Sequence, residues 1–228
     1  MLFRNKKFAE ATVYLDKMEV AMQKQEQVYF DPFYCRLQLL RCLTDNYSGN
    51  AALAIAKAES VLRTVKGADI SEILDLQLSL AVFHFQQLHL NKVQQLFKNF
   101  HHTDSWYEKK QGMEWTIKKN LIEILLHVEL KNLDYVASRL TSFKRRYKKY
   151  LTEVKEERVQ VFLSLVEKYL NAPENFTSEA FKKQVENAFQ WKSYREEDIF
   201  VMSFYAWLKA KIEKQDIYSV TLKLVREA

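Results

Sequence analysis

Five cations crowd into six positions at Lys144-Arg145-Arg146 and Lys148-Lys149, the densest charge in the chain. Side chains of this type at this density could track the phosphates of a nucleic acid or seat an acidic peptide, with Lys144, Arg145, Lys148 and Lys149 as the candidate basic patch. Phe143, Tyr147 and Tyr150 are interleaved with them and could stack on bases. A helix accounts for the same residues structurally. Phe143, Tyr147, Tyr150 and Leu151 fall at i, i+4, i+7 and i+8, one core-facing stripe. The cations then occupy the remaining faces of a helix C-terminus, where the macrodipole favours each by about 0.3–1 kcal/mol. Glu153, Glu156 and Glu157 follow at the opening of the next helix, so the two clusters partly neutralise one another. The charge balance is local: residues 101–152 carry +5 of the net +6, residues 1–100 carry +2 and residues 153–228 carry −1.

Other reactive side chains lack the company that chemistry needs. His84, His89, His101, His102 and His127 show no His-x-x-Glu-His or Cys/His ligand spacing, and zinc requires three or four convergent ligands. His84 and His89, five apart, do not share a helix face well, and His101-His102 read as solvated residues at a helix end. Glu156-Glu157 and Glu196-Glu197-Asp198 read as first-turn acids that complement a helix dipole, not as a paired general acid and base. Gly49, Gly67 and Gly112 are the whole glycine complement, too few for a nucleophile elbow, a Walker loop or a Gly-rich phosphate loop. Cys35 and Cys42, seven apart on a helical stretch, would lie about 10 Å apart along the axis. That exceeds the reach of a disulfide, so both are expected as reduced core thiols. These residues predict no catalytic centre, no metal and no cofactor. Trp106, Tyr107, Trp115, Trp191, Tyr194 and Trp207 remain as aromatics that either line a peptide groove or fill the core.

The elements that must position these residues follow from composition. In 228 residues there are 3 Gly and 2 Pro, where average usage gives roughly 16 and 11. Sheets and hairpins depend on Gly and Pro at their corners, so the chain is expected to be all-α. Hydrophobic residues at 48% and aromatics at 14% supply a sizeable core. The most apolar run, Leu121 to Leu130, is broken by Glu123, His127 and Glu129, so no membrane span is expected. With no apolar signal core near the N-terminus, a cytoplasmic chain is the expectation, and the sequons at Asn46 and Asn175 are discounted.

A short element recurs along the chain. An Asn or Asp is followed by polar or small residues and then an aromatic or aliphatic residue opening a helix: Asn5-Lys6-Lys7-Phe8, Asn50-Ala51-Ala52, Asn91-Lys92-Val93, Asn132-Leu133-Asp134-Tyr135 and Asp216-Ile217-Tyr218, with a weaker copy near Phe176-Thr177-Ser178. Their anchors are 40 to 44 residues apart. Each period holds two helical patterns. Longer helices are expected over about 32–47, 70–89, 106–130, 153–171 and 194–214, and shorter ones over about 6–26, 50–66, 91–101, 132–151, 177–191 and 216–227. Asp31-Pro32 reads as an N-cap before a first-turn proline, and Asp69/Glu72, Ser105/Glu108 and Ser193/Glu196 have capping-box spacing. Connections of two to six residues make consecutive helices antiparallel neighbours. Helix 70–89 carries two apolar stripes, Ile73-Leu76-Leu80-Phe83 and Leu74-Leu78-Ala81-Phe85-Leu88, and 194–214 does the same. Wide apolar surfaces demand burial between neighbours, as in a stacked array.

Phe8-Ala9-Glu10-Ala11 with Leu15 resembles the second helix of a tetratricopeptide repeat, and Glu129-Leu130-Lys131-Asn132 with Leu133-Asp134-Tyr135 resembles its inter-helix turn. The period is nearer 40 than the family's 34. The small residue three after the anchor is kept at Ala11 and Ser138 but replaced by Ile55, Leu96, Phe181 and Thr221, and the family's Gly and Pro punctuation is mostly missing. The texture also resembles uncharacterised helical-repeat proteins of Bacteroidetes-type bacteria. The resemblance implies a single all-α domain over 1–228, a right-handed superhelical α-solenoid of antiparallel helix pairs. It implies a non-enzymatic scaffold binding a protein or peptide along a concave face formed mainly by the longer helices. Arg36, Gln77, Lys118 and Arg158, polar residues within long apolar helices, are the candidates for that face. Two alternatives stand beside it: nucleic-acid binding through 144–149, and an interaction segment of a larger regulatory protein. The chain opens and closes on what read as second helices without polar caps, so it is expected to be a segment of a longer solenoid or to self-associate through its ends.

Overall fold

The structure is a computed structural model and describes residues 5–24, 27–172, 178–188 and 199–227. Among these residues there are twelve helices and no strand. They are α1 (Phe8–Lys24), α2 (Gln27–Tyr47), α3 (Ala51–Thr64), α4 (Ile70–Gln86), α5 (Leu90–Phe97), α6 (Asp104–Gln111), α7 (Met113–Glu129), α8 (Leu133–Glu153), α9 (Glu157–Asn171), α10 (Glu179–Ala188), α11 (Ile199–Glu213) and α12 (Ile217–Glu227). No helix among the described residues is long and apolar enough to cross a membrane. The residues group into two compact units, one from Met1–Trp106 with Val225–Ala228 and the other from Tyr107–Leu224.

Within the first unit, α1 packs on α2, α2 on α3, α3 on α4 and α4 on α5, and α2 also touches α4. Helix α4 is buried nearly all round, from Leu74 through Gln86, because α2, α3 and α5 cover its different faces. This is what its two apolar stripes require. By contrast α3 buries only Ala51, Ala54, Ala58 and Val61, a single stripe whose small side chains admit close neighbours. Leu15, Met22 and Leu37, with Met18 and Leu40, join α1 to α2. Burying each such large apolar side chain is worth about 1.5–3 kcal/mol. Near the far ends of α2 and α4, Asn46 donates to Gln86 at 2.9 Å, and Tyr47 meets Phe83 edge-on at 6.5 Å.

The second unit repeats the contrast. Helix α7 is buried on most faces, whereas α8 buries Val136, Leu140, Phe143, Tyr147 and Leu151 in one stripe. Trp207 of α11 is fully buried and meets Phe162 and Tyr169 of α9 edge-on at 6.3 and 5.8 Å. Its indole N–H donates to the Glu129 carboxylate of α7 at 2.6 Å, and Lys211 reaches the same carboxylate at 2.8 Å. One side chain therefore ties α7, α9 and α11 together.

The scarcity of glycine is explained at the turns. Five helices among the described residues end on the same motif, in which an N–H just past the last turn reaches back five positions. The bonds are Asn50 to Asp45, His89 to His84, Asn132 to His127, Glu156 to Leu151 and Gln215 to Ala210, at 2.9 to 3.0 Å. The residue before each donor takes a positive φ: Gly49 at 104°, Leu88 at 55°, Lys131 at 58°, Lys155 at 57° and Lys214 at 54°. Glycine is the usual occupant of this left-handed position, yet here it appears once. A non-glycine side chain there costs about 1–2 kcal/mol, offset by satisfying carbonyls the helix end would otherwise orphan.

Several boundaries differ from the sequence expectation for identifiable reasons. The helix expected over 106–130 is two helices, because Gly112 at φ 90° breaks the run between α6 and α7. Helix α6 opens earlier than the Ser105/Glu108 pair implies, and Thr103 supplies the cap by accepting from the Trp106 N–H at 3.3 Å. Helix α2 opens at Gln27, so Asp31 and Pro32 lie within it and not before it. Asp69 does cap α4, accepting from Ser71 N–H at 2.7 Å. Ser178 and Asp216 likewise cap α10 and α12, accepting from Phe181 and Ser219. The Ser193/Glu196 pair and the acids 196–198 lie outside the described residues.

Candidate functional site

Helices α3, α4 and α5 enclose a groove of about 500 Å3. Leu62, Ile73, Leu80 and Leu96 make its apolar floor, and Gln77, Gln95 and Asn99 stand on its walls. Ile73, Gln77, Leu80 and His84 lie at i, i+4, i+7 and i+11 on α4, so one helical stripe supplies both floor and wall. The side-chain amides of Gln77, Gln95 and Asn99 make no hydrogen bond among the described residues. Each amide both donates and accepts, which suits the alternating N–H and C=O of a peptide backbone. Glu59, Arg63 and Lys92 place charges of both signs at the edge.

His84 sits at the inner end of this groove, with its ring buried. Its Nε2 is 3.5 Å from the Glu59 carboxylate and its Nδ1 is 3.3 Å from Nδ1 of His89. The sequence reading separated these two histidines by treating residues 70–89 as one helix. The left-handed turn at Leu88 instead folds His89 back over His84. With both rings neutral and Nε2–H facing Glu59, His84 Nδ1 accepts and His89 donates. Burial holds the His84 imidazole below its ordinary pKa, against the opposing pull of Glu59 and with help from the His89 and Lys92 charges. The link recurs one turn motif later, where Asn132 and His127 Nδ1 are 2.9 Å apart. Its recurrence at the same five-residue offset marks it as part of the turn.

A second groove, of about 380 Å3, lies between α8 and α9. Phe143, Leu151 and Leu163 form its floor, and Lys144, Arg145 and Lys148 its rim. The basic cluster is thus divided in fate. Arg146 makes a two-pronged bond to Glu108 at 2.7 and 2.8 Å, which raises its already high pKa. Lys144 meets Glu167 at 2.6 Å and Lys149 is 3.9 Å from Glu153. Arg145 and Lys148 are exposed and form no ion pair among the described residues. The interleaved aromatics Phe143 and Tyr147 are buried ring against ring, with centroids 4.7 Å apart.

The four polar residues picked from the long helices are divided between the two units, Arg36 and Gln77 in the first and Lys118 and Arg158 in the second. Arg36 is half exposed and bonds Asp75 across α2 and α4 at 3.3 Å, while Gln77 lies in the α3–α5 groove, whose lining does not include Asp75. Lys118 is half-buried on α7, and Arg158 pairs with Glu156 at 3.0 Å at the start of α9. Among the aromatics, Tyr107, Trp115 and Trp207 are core residues, with Trp115 stacked on Tyr107 at 5.4 Å. Trp106 stacks on His102 at 3.9 Å. Trp191 and Tyr194 lie outside the described residues. Cys35 and Cys42 are fully buried free thiols, and burial pushes them up to about 11 and about 12. No group of three or more His, Cys, Asp or Glu among the described residues is placed to hold a metal ion. Neither a protein-family model, nor a curated protein, nor a solved structure matches the chain.

Arg63, Lys92, Gln95 and Asn99 were missed in the sequence. The groove draws on the shorter helices α3 and α5 as much as on α4, whereas the sequence reading looked to the longer helices. A signal was present: Gln94-Gln95 and Asn99 are uncharged amides on a helix with few charges to solvate it.

Proposed function

We propose that the chain is a non-enzymatic scaffold that binds a protein or peptide, and that the α3–α5 groove is its recognition surface. The observation that carries this is the set of unengaged amides of Gln77, Gln95 and Asn99 above an apolar floor. Apolar and polar residues share this lining, and polar groups set beside an apolar floor can fix the orientation of a ligand. An extended segment would seat one apolar side chain on Leu62, Ile73, Leu80 and Leu96 while its backbone bonds the amides.

In the same proposal the helix pairs stack in tetratricopeptide-like fashion with a period near 40, as an α-solenoid. The alternation of widely buried helices with single-stripe helices, and the left-handed turns at 49, 88 and 131, support it; the turns at 155 and 214 do not keep that spacing from one turn to the next. A cytoplasmic location is part of the proposal too.

Selection of short random peptides displayed on phage tests the groove. Peptides retained equally by the wild-type chain and by Arg145→Glu/Lys148→Glu should lose at least tenfold in affinity on Gln77→Ala/Gln95→Ala/Asn99→Ala, with helix content unchanged by circular dichroism. Retention at undiminished affinity would place the recognition surface elsewhere.

A further inference from the structure

We propose that the α8–α9 groove is a separate docking site for an acidic, amphipathic segment of a partner protein, with Arg145 and Lys148 as its charge readers.

The fold engages only part of the basic cluster. Of its cations, Arg146 is committed to Glu108, and Lys144 and Lys149 have acidic neighbours in Glu167 and Glu153. What remains unpaired among the described residues is Arg145 with Lys148. They stand three apart on α8, so their side chains are neighbours on one face, with Cβ atoms about 5–6 Å apart. Two unpaired charges are far fewer than the roughly 6–10 phosphate contacts over which a nucleic-acid binder spreads its affinity. Stacking adds little, because Phe143 and Tyr147 are buried against each other and only the half-buried Tyr150 is left to stack. Electrostatics and aromatic placement therefore both disfavour a nucleic acid.

The groove beside those two cations has the opposite character. Phe143, Leu151 and Leu163 floor a space of about 380 Å3, and Gln160 of α9 faces the rim from the far side. A ligand matched to this surface carries an apolar side chain for the floor and carboxylates about one helical turn apart for the rim. Arg145 can take a carboxylate in two-pronged fashion, and Lys148 acts as a point charge beside it. Lys144, paired with Glu167, adds no net charge to the rim, so the reading of charge falls to Arg145 and Lys148. An acidic amphipathic peptide meets each requirement, and the charge complementarity selects it over a neutral one.

The site is independent of the α3–α5 groove, so the test separates the two. Short random peptides on phage are selected against the wild-type chain, with counter-selection against Arg145→Glu/Lys148→Glu. Survivors should pair a large apolar residue with Asp or Glu. Their affinity should fall at least tenfold on either charge reversal and on Gln160→Trp, which fills the groove without changing charge. It should hold on Gln77→Ala/Asn99→Ala and weaken several-fold between about 50 and 200 mM salt. Far-ultraviolet circular dichroism verifies that each variant is folded. The proposal is overturned if no peptide survives counter-selection, if survivors lack acids, or if their binding persists in Gln160→Trp. Tighter Arg145-dependent retention of a single-stranded DNA or double-stranded RNA oligonucleotide than of the selected peptides would overturn it as well.

Discussion

Replacing Glu129 separates the two roles of its carboxylate in the second unit. The carboxylate is only 11% exposed and accepts from the Trp207 indole and from Lys211. In Glu129→Ala the indole N–H is left without its acceptor in a side chain that has no solvent access, a penalty of about 1–3 kcal/mol. Lys211 is more than a quarter exposed, so loss of its ion pair adds no more than about 1 kcal/mol. The total, about 1–4 kcal/mol, lowers Tm by roughly 2–16 °C at this chain length. Glu129→Gln keeps a carbonyl acceptor for the indole and removes only the charge, so it costs about 1 kcal/mol or less. Differential scanning calorimetry of wild type and the two variants reads both values. If Glu129→Gln falls as far as Glu129→Ala, the ion pair and not the buried indole dominates. If Glu129→Ala melts with wild type, Trp207 does not tie α7 to α11 in the way described.

Other consequences follow from the turns and the histidines. Lys131→Gly relieves a left-handed side chain and is expected to stabilise by about 0.5–1 kcal/mol net of glycine's greater chain entropy, read as a raised urea midpoint. Gly112→Ala meets no atom within 4 Å, so its cost is backbone strain alone, about 1–3 kcal/mol for an extended positive-φ conformation that glycine almost alone adopts. Should α6 and α7 straighten into one helix instead, circular dichroism would show added helicity with no loss of stability. Burial lowers the His84 and His127 imidazoles in the folded chain below the ordinary 6.5, so below that value the unfolded chain binds more protons. Their neutral forms therefore contribute stability that is full above 6.5 and lost as pH falls toward the lower folded pKa values. Urea midpoints should drop between pH 7.5 and 5.5, and His84→Gln should flatten that drop; an unchanged slope refutes the assignment.

Helix content was the most legible property, because burial patterns repeat at helical spacing regardless of turn chemistry. Phe143, Tyr147 and Leu151 lie buried as their spacing implies while Tyr150 of the same stripe is half-buried, and both α4 stripes are buried apart from half-buried Ile73 and exposed Leu88. Turn detail was much less legible. Leu88, Lys131, Lys155 and Lys214 occupy left-handed positions that only glycine or asparagine would have announced. That is why His84 and His89 read as strangers and why residues 70–89 ran past the true end of α4. Gly112, in turn, sat inside an apolar rhythm long enough to hide a break.

The candidate sites were legible only in fragments. Gln77 stood out as a polar residue in an apolar helix, but its partners Gln95 and Asn99 come from α5 and the turn after it, and no local spacing links them. The division of the basic cluster into paired and unpaired cations depends on Glu108 and Glu167, 38 and 23 residues from their partners. Charge counting along the chain cannot separate Arg145 and Lys148 from Arg146.

Hydrogen exchange with and without a phage-selected peptide that depends on Gln77, Gln95 and Asn99 tests the central claim most directly. The account predicts slowed exchange in Ala51–Thr64, Ile70–Gln86 and Leu90–Phe97 and no change across Leu133–Asn171. Protection confined to other helices, or none at saturating peptide, would contradict recognition by the α3–α5 groove.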